Sequence, residues 1–125
     1  MSIYLYRDYR TFLKDFLKRK GRGSQSSLAL AIQCTKGFLS QVLSEKMNFN
    51  TEQGFLCAQW LKLDSKATRF FLLLIRYQGA SSSELKSFLK KEIDHIAQKK
   101  SGVTAFDQEE EQRLLQAYRQ EFYSG

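Results

Sequence analysis

The sequence predicts an all-α protein, on three observations. Its 125 residues contain no proline. Apolar residues recur at i, i+3, i+4 and i+7 in one segment after another. Clusters of Gly, Ser, Thr and Asp with capping chemistry separate those segments. The length fits one domain that can bury a core without disulfides or metal. A hydrophobic content of 42% with 14% aromatics argues against disorder over most of the chain.

The first helix is expected from about Asp8 to Lys20, with Tyr9, Phe12, Leu13, Phe16 and Leu17 as its buried stripe. Gly21 and Gly23 end it. Two short helices then lie within Ser24–Lys46. The first has an apolar face of Leu28, Ala29 and Ile32; Cys34 and Thr35 interrupt the pattern; Phe38, Leu39, Val42 and Leu43 resume it. Ser24 and Thr35 stand where N-caps would open them. A polar loop, Met47 to Asn50, follows, and Thr51 is expected to cap a fourth helix carrying Phe55, Leu56, Ala58, Trp60 and Leu61. Asp64 opens a fifth helix whose run Phe70 to Ile75 is apolar on nearly every side, so it is either central to the core or shared with another chain. Gly79 ends it. Ser81 with Glu84 gives a capping-box signature for a sixth helix, with Leu85, Phe88, Leu89, Ile93 and Ile96 on one face and a break at Gly102. Asp107 with Glu110 starts a seventh, carrying Leu114, Leu115, Ala117, Tyr118 and Phe122. Glu109, Glu110 and Glu111 read as a solvated first turn of that helix.

Several function classes are disfavoured. The longest apolar run is too short to span a bilayer, and Arg7, Asp8 and Arg10 interrupt the N-terminus before a signal-peptide core forms. Cys34 and Cys57 have neither metal spacing nor a disulfide framework and read as small core fillers in a reducing cytoplasm. His95 follows no metal spacing, and Asp94 beside it points away, as helical neighbours do. No metalloprotease, P-loop, nucleophile-elbow or C-x-x-C signature is present. No enzymatic activity and no cofactor are therefore expected. Trp60 and the Phe/Tyr set lie at core spacing rather than as a stacking platform for single strands.

Two short helices joined by a tight turn, the second with a polar outer face, make a helix-turn-helix unit of the kind that lays its second helix in the DNA major groove. The charge distribution agrees. Residues 1–63 hold ten Lys/Arg against four Asp/Glu, residues 64–102 hold eight against four, and residues 103–125 hold two against five, for a total of +7. The positive potential accompanies the helix-turn-helix half and suits a polyanion. Residues 1–63 are read as the DNA-binding region and residues 64–125 as a helical extension that pairs two copies, the whole forming one compact domain.

Residues 24–62 resemble the Cro/phage-repressor (XRE-like) helix-turn-helix family. Leu28-Ala29 and Leu39-Ser40 stand at the family's separation, and Thr51–Leu63 matches its fourth helix. DYRTFLKDF at Asp8–Phe16, followed by that motif and by KATRFFLLLIRYQGA at Lys66–Ala80, is similar to the N-terminal region of a poorly characterised bacterial family of proposed transcriptional regulators. That resemblance covers roughly residues 4–100, without the larger domain of unknown function that usually follows. It implies a five-helix, lambda-repressor-like core with one or two extra C-terminal helices, acting in the bacterial cytoplasm at the nucleoid. Two departures stand out: Gln33 occupies a turn position where the family often has glycine, at a cost of about 1 kcal/mol, and Gly37 offers no side chain to a base.

Carried over residue by residue, the resemblance places Lys36, Gly37 and Gln41 at base edges, Lys36 toward guanine and Gln41 toward adenine N6 and N7. It places Ser40 and Ser44 near phosphate or sugar and Gln25 on a phosphate at a helix N-terminus, with Thr35 capping its helix and meeting a phosphate. Lys18, Arg19, Lys20 and Arg22 either flank the DNA backbone or form a solvated helix end facing the dipole's negative pole. The expected partner is double-stranded DNA, bound by a homodimer whose recognition helices lie ~34 Å apart on a palindrome. Two alternatives stay open: a diverged helix-turn-helix that binds only a protein partner, with the acidic tail masking the basic face or meeting a partner, and a non-specific nucleoid-like binder.

Overall fold

The computed structural model describes residues 2–101. Among them, a 3-10 turn at Ile3–Leu5 precedes six α-helices: α1 Tyr9–Lys20, α2 Ser24–Ala31, α3 Lys36–Leu43, α4 Thr51–Trp60, α5 Ser65–Gly79 and α6 Ser83–Ser101. No strand occurs among the described residues, so the all-α expectation holds there. No helix among them is long and apolar enough to cross a membrane. The break expected at Gly102 and the helix expected from Asp107 lie outside the described residues.

Helix α5 is the axis of the packing. It buries Ala67, Phe70, Phe71, Leu73, Leu74 and Ile75, and it is contacted by α4, α6, α1 and the 3-10 turn. The apolar run is therefore covered within the chain and does not require a second copy. Burying a side chain such as Phe70 or Phe71 contributes roughly 1.5–3 kcal/mol. Around them Tyr9 meets Phe71 edge-on at 5.9 Å and Phe49 at 5.7 Å between ring centroids. Helix α4 lies so close to α5 that a Cβ on Gly54 would stand 2.5 Å from Ile75 Cδ1 and 3.0 Å from Leu72 Cδ2. The N-terminal turn, absent from the sequence-based expectation, is tied down by buried Ile3, by Tyr4 tilted against Phe70 with ring centroids 4.9 Å apart, and by the Arg7–Asp94 ion pair at 3.0 Å.

The start signals were right in kind and often one residue off. Asp8, Thr35 and Asp64 cap α1, α3 and α5 through their side chains. The cap of α4 is Asn50 rather than Thr51, with a complete capping box to Gln53. The cap of α2 is Gly23 in the left-handed region rather than Ser24, whose hydroxyl instead donates to the Leu17 and Gly21 carbonyls. At α6 it is Ser82, not Ser81, that accepts from the Leu85 N–H at 3.0 Å.

Three helices end alike. After α2, α3 and α4, the residues Gln33 (φ 59°), Glu45 (φ 70°) and Lys62 (φ 62°) take left-handed backbone. In each case two backbone N–H groups close back on the last turn: Gln33 to Leu30 and Cys34 to Ala29, Glu45 to Val42 and Lys46 to Gln41, Lys62 to Gln59 and Leu63 to Ala58. These are Schellman closures built without glycine.

Other expectations are corrected by burial. Phe49, placed in a polar loop, is a core residue, while Phe55 on α4 is largely exposed. The buried face of α6 is Leu89, Ile93 and Ala97, leaving Leu85 and Phe88 exposed at 43% and 65%.

Candidate nucleic-acid interface

The candidate surface is built on α3 and the start of α2. The turn Ile32–Thr35 between them is closed at one side by the left-handed Gln33 and at the other by the Thr35 cap. Leu39 and Val42 are fully buried beneath α3, which fixes which face turns outward: Lys36, Gly37, Ser40 and Gln41 are all exposed. Their spacing of three and four residues puts Gly37, Ser40 and Gln41 on one helix face.

The structure brings several expected residues together. Gln25, on the first turn of α2, donates from Nε2 to Ser40 Oγ at 3.2 Å, joining the two helices across the outer surface. The Ser40 hydroxyl hydrogen is not engaged as the donor in that bond and stays available to an acceptor. Thr35 Oγ1 accepts from the Phe38 N–H at 3.0 Å; its own O–H keeps the second task, donation to a phosphate, chemically open. Gly37 has open space at its Cα, with Thr35 Oγ1 the nearest neighbour a Cβ would meet, at 3.8 Å. A backbone or base edge approaching there would meet no side chain.

Ser44 stands apart from this group. It is the C-cap of α3, and its hydroxyl donates to the Gln41 carbonyl at 3.2 Å, back onto its own helix. The cations Lys18, Arg19 and Lys20 are exposed in the last turn of α1, and Arg22 is exposed in the linker to α2. Arg22 is three residues from Gln25, within about 11 Å along an extended chain. Lys20 Nζ lies 5.8 Å from the centroid of Trp60, whose indole N–H donates to Ser27 Oγ at 3.2 Å. Trp60 is thus half-buried, linking α4 to α2 rather than filling the core.

One residue beneath the site escaped the pattern reading. Arg10 is 7% exposed, lies on the inner side of α1, and reaches the end of α3. A signal for it exists in the sequence: Arg10 stands three residues before Leu13 and seven before Leu17, on the same stripe of α1 as those apolar residues.

Compared with models of known protein families, with curated proteins and with solved structures, the chain matches none.

Proposed function

We propose that this chain is a DNA-binding transcriptional regulator of the repressor-like helix-turn-helix kind, reading the major groove with α3. The observation that carries the reading is the paired surface of α2 and α3. A short helix buries Leu39 and Val42, turns Lys36, Ser40 and Gln41 outward, and is joined by the Gln25–Ser40 hydrogen bond to the start of its neighbour. An eight-residue helix such as α3 is about 12 Å long, and its width fits a major groove of about the same size. In this arrangement Lys36 and Gln41 read bases, Lys36 as a donor to guanine and Gln41 as a two-point partner of adenine. Gln25 and Thr35 hold phosphates and set the register, as contacts of that type do. Lys18, Arg19, Lys20 and Arg22 supply sequence-independent attraction. Pairing of two copies does not rest on α5, whose apolar surface is covered within the chain.

The test is selection from a pool of labelled genomic fragments at about 50 and 200 mM salt, where phosphate-mediated binding changes steeply. Wild type is compared with Lys36→Ala/Gln41→Ala. Enrichment of one motif, lost in the double variant, supports the reading, and a palindromic motif supports two copies. Salt-dependent binding without enrichment points to a non-specific binder. Absence of binding at either salt overturns the proposal in favour of a protein-interaction module.

A further inference from the structure

We infer that Arg10 is a positioning residue for the recognition surface: a buried guanidinium on α1 that fixes where α3 ends and how the following loop leaves it. Its Nε donates to the Val42 carbonyl at 2.7 Å and its Nη2 to the Met47 carbonyl at 2.7 Å, with a longer contact to Asn48 Oδ1 at 3.5 Å. Val42 lies in the last turn of α3, and Met47 and Asn48 lie in the loop before α4. One rigid, planar group on α1 therefore holds both the end of α3 and the loop that follows it, 32 to 38 residues further along the chain.

The chemistry suits the place. The last carbonyls of a helix lack intrahelical donors and carry the negative end of its dipole. The Val42 carbonyl already accepts from the Glu45 N–H of the Schellman closure, and the guanidinium adds a charge-assisted bond to its other lone pair while reaching the Met47 carbonyl, a fixed fork that lysine cannot reproduce. Among the described residues Arg10 makes no ion pair with a carboxylate; its acceptors are carbonyls and an amide oxygen. The adjacent Tyr9 completes the device. Fully buried, its ring lies 4.9 Å beneath the Arg10 guanidinium; its hydroxyl donates to Asn48 Oδ1 and accepts from the Phe49 N–H at 3.3 Å. Helix α1 thus holds the C-terminal end of α3, while the Thr35 cap holds its start and the Gln25–Ser40 bond its middle. A helix held at both ends presents Lys36 and Gln41 in one orientation. Orientation is what base readout needs and what non-specific phosphate binding does not.

The consequence for DNA rests on the DNA-binding reading; the consequence for α3 does not. The experiment therefore has two readouts, applied to wild type, Arg10→Met, Arg10→Lys and the control Leu89→Ala, a core change on α6 remote from α3. Amide exchange is followed well below the melting temperature. In Arg10→Met the Glu45, Lys46 and Met47 amides are expected to exchange about tenfold faster than wild type after allowing for the global change that Leu89→Ala reports. Arg10→Lys falls between. The ratio of specific to non-specific DNA affinity is expected to drop about tenfold in Arg10→Met, less in Arg10→Lys, and not in Leu89→Ala. If Arg10→Met does not fold, Arg10→Lys and Asn48→Ala carry the same comparison. Exchange at these amides that rises no more than in Leu89→Ala overturns the inference, even where wild type binds DNA. The exchange pattern without any DNA binding by wild type upholds the positioning role and removes the DNA-binding reading instead.

Discussion

Gln33, Glu45 and Lys62 hold a left-handed backbone that costs an L-residue roughly 1–2 kcal/mol, and each stands two residues past the end of a helix. Position 33 was legible as a strained turn because the resemblance pointed to glycine there. Positions 45 and 62 were not, since a glutamate or lysine carries no mark of such a turn; only the pair of backbone bonds reveals it. The same limit explains the displaced caps. Gly23-Ser24, Asn50-Thr51 and Ser81-Ser82 each offer two adjacent capable residues, and the backbone rather than the side-chain type decides between them. For Gln33→Gly the relieved strain is partly offset by about 0.4–1 kcal/mol of extra freedom in the unfolded chain. The net expectation is stabilisation of about 0.5 kcal/mol, a rise of roughly 2–4 °C in melting temperature. Gln33→Val, β-branched and ill-suited to positive φ, is expected to lower it. Scanning calorimetry of the two variants checks this, and a fall for Gln33→Gly would show that the glutamine side chain stabilises the turn by more than its strain.

Among elements, periodicity located all six described helices and most of the buried stripe of α1, where Tyr9, Phe12, Leu13 and Leu17 are buried and Phe16 is only half-buried, beside Trp60, because those stripes repeat with one dominant apolar face. It failed on α6. There Leu85 and Phe88 on one stripe compete with Leu89, Ile93 and Ala97 on another, and packing against α5 and the N-terminal 3-10 turn decides which is covered. It also passed over Arg10 and Gly54, whose roles come from a partner helix distant in sequence. The end of α1 poses the remaining question for the site. Lys18, Arg19 and Lys20 sit on its last turn and Arg22 just beyond, where the helix dipole and a DNA backbone would favour the same charges. Replacing all four with glutamine separates the two. As phosphate contacts, each lost cation is expected to reduce the slope of log affinity against log salt by about 0.9. As dipole partners alone, the slope stays and stability falls by roughly 0.3–1 kcal/mol for each cation near the terminus. Binding titrations over a salt series, beside denaturant unfolding of the same proteins, read both quantities.

At the scale of the whole molecule, two ionisable groups are sealed into the core by the packing of α1 and α4 against α5. Tyr9 and Cys57 are both fully buried. Burial pushes the Tyr9 phenol above its ordinary value of 10.0, against the smaller lowering by the Phe49 N–H and Arg10. Burial pushes the Cys57 thiol well above its ordinary 9.0, and Cys34 adds to the rise. Both groups are neutral when protonated, so the folded chain retains protons that the unfolded chain releases. Their contribution is complete below the unfolded values and is lost as pH rises through 9 and then 10 toward the folded ones. Stability is therefore expected to decline above pH 9, with a slope of up to about 1.4 kcal/mol per pH unit for each such group. Cys57→Ala removes the earlier of the two, so its stability curve should stay flatter between the ordinary thiol and phenol values of 9.0 and 10.0 and bend near the latter. The measurement is denaturant unfolding of both proteins under reducing conditions across that interval. Parallel curves would mean that alkaline loss arises elsewhere, in the half-buried Cys34 or in the partly covered Tyr4, whose ionisation is also disfavoured by burial. A flatter variant curve would tie the alkaline limit of the fold to the thiol that α4 buries beside Tyr9 of α1 and Cys34.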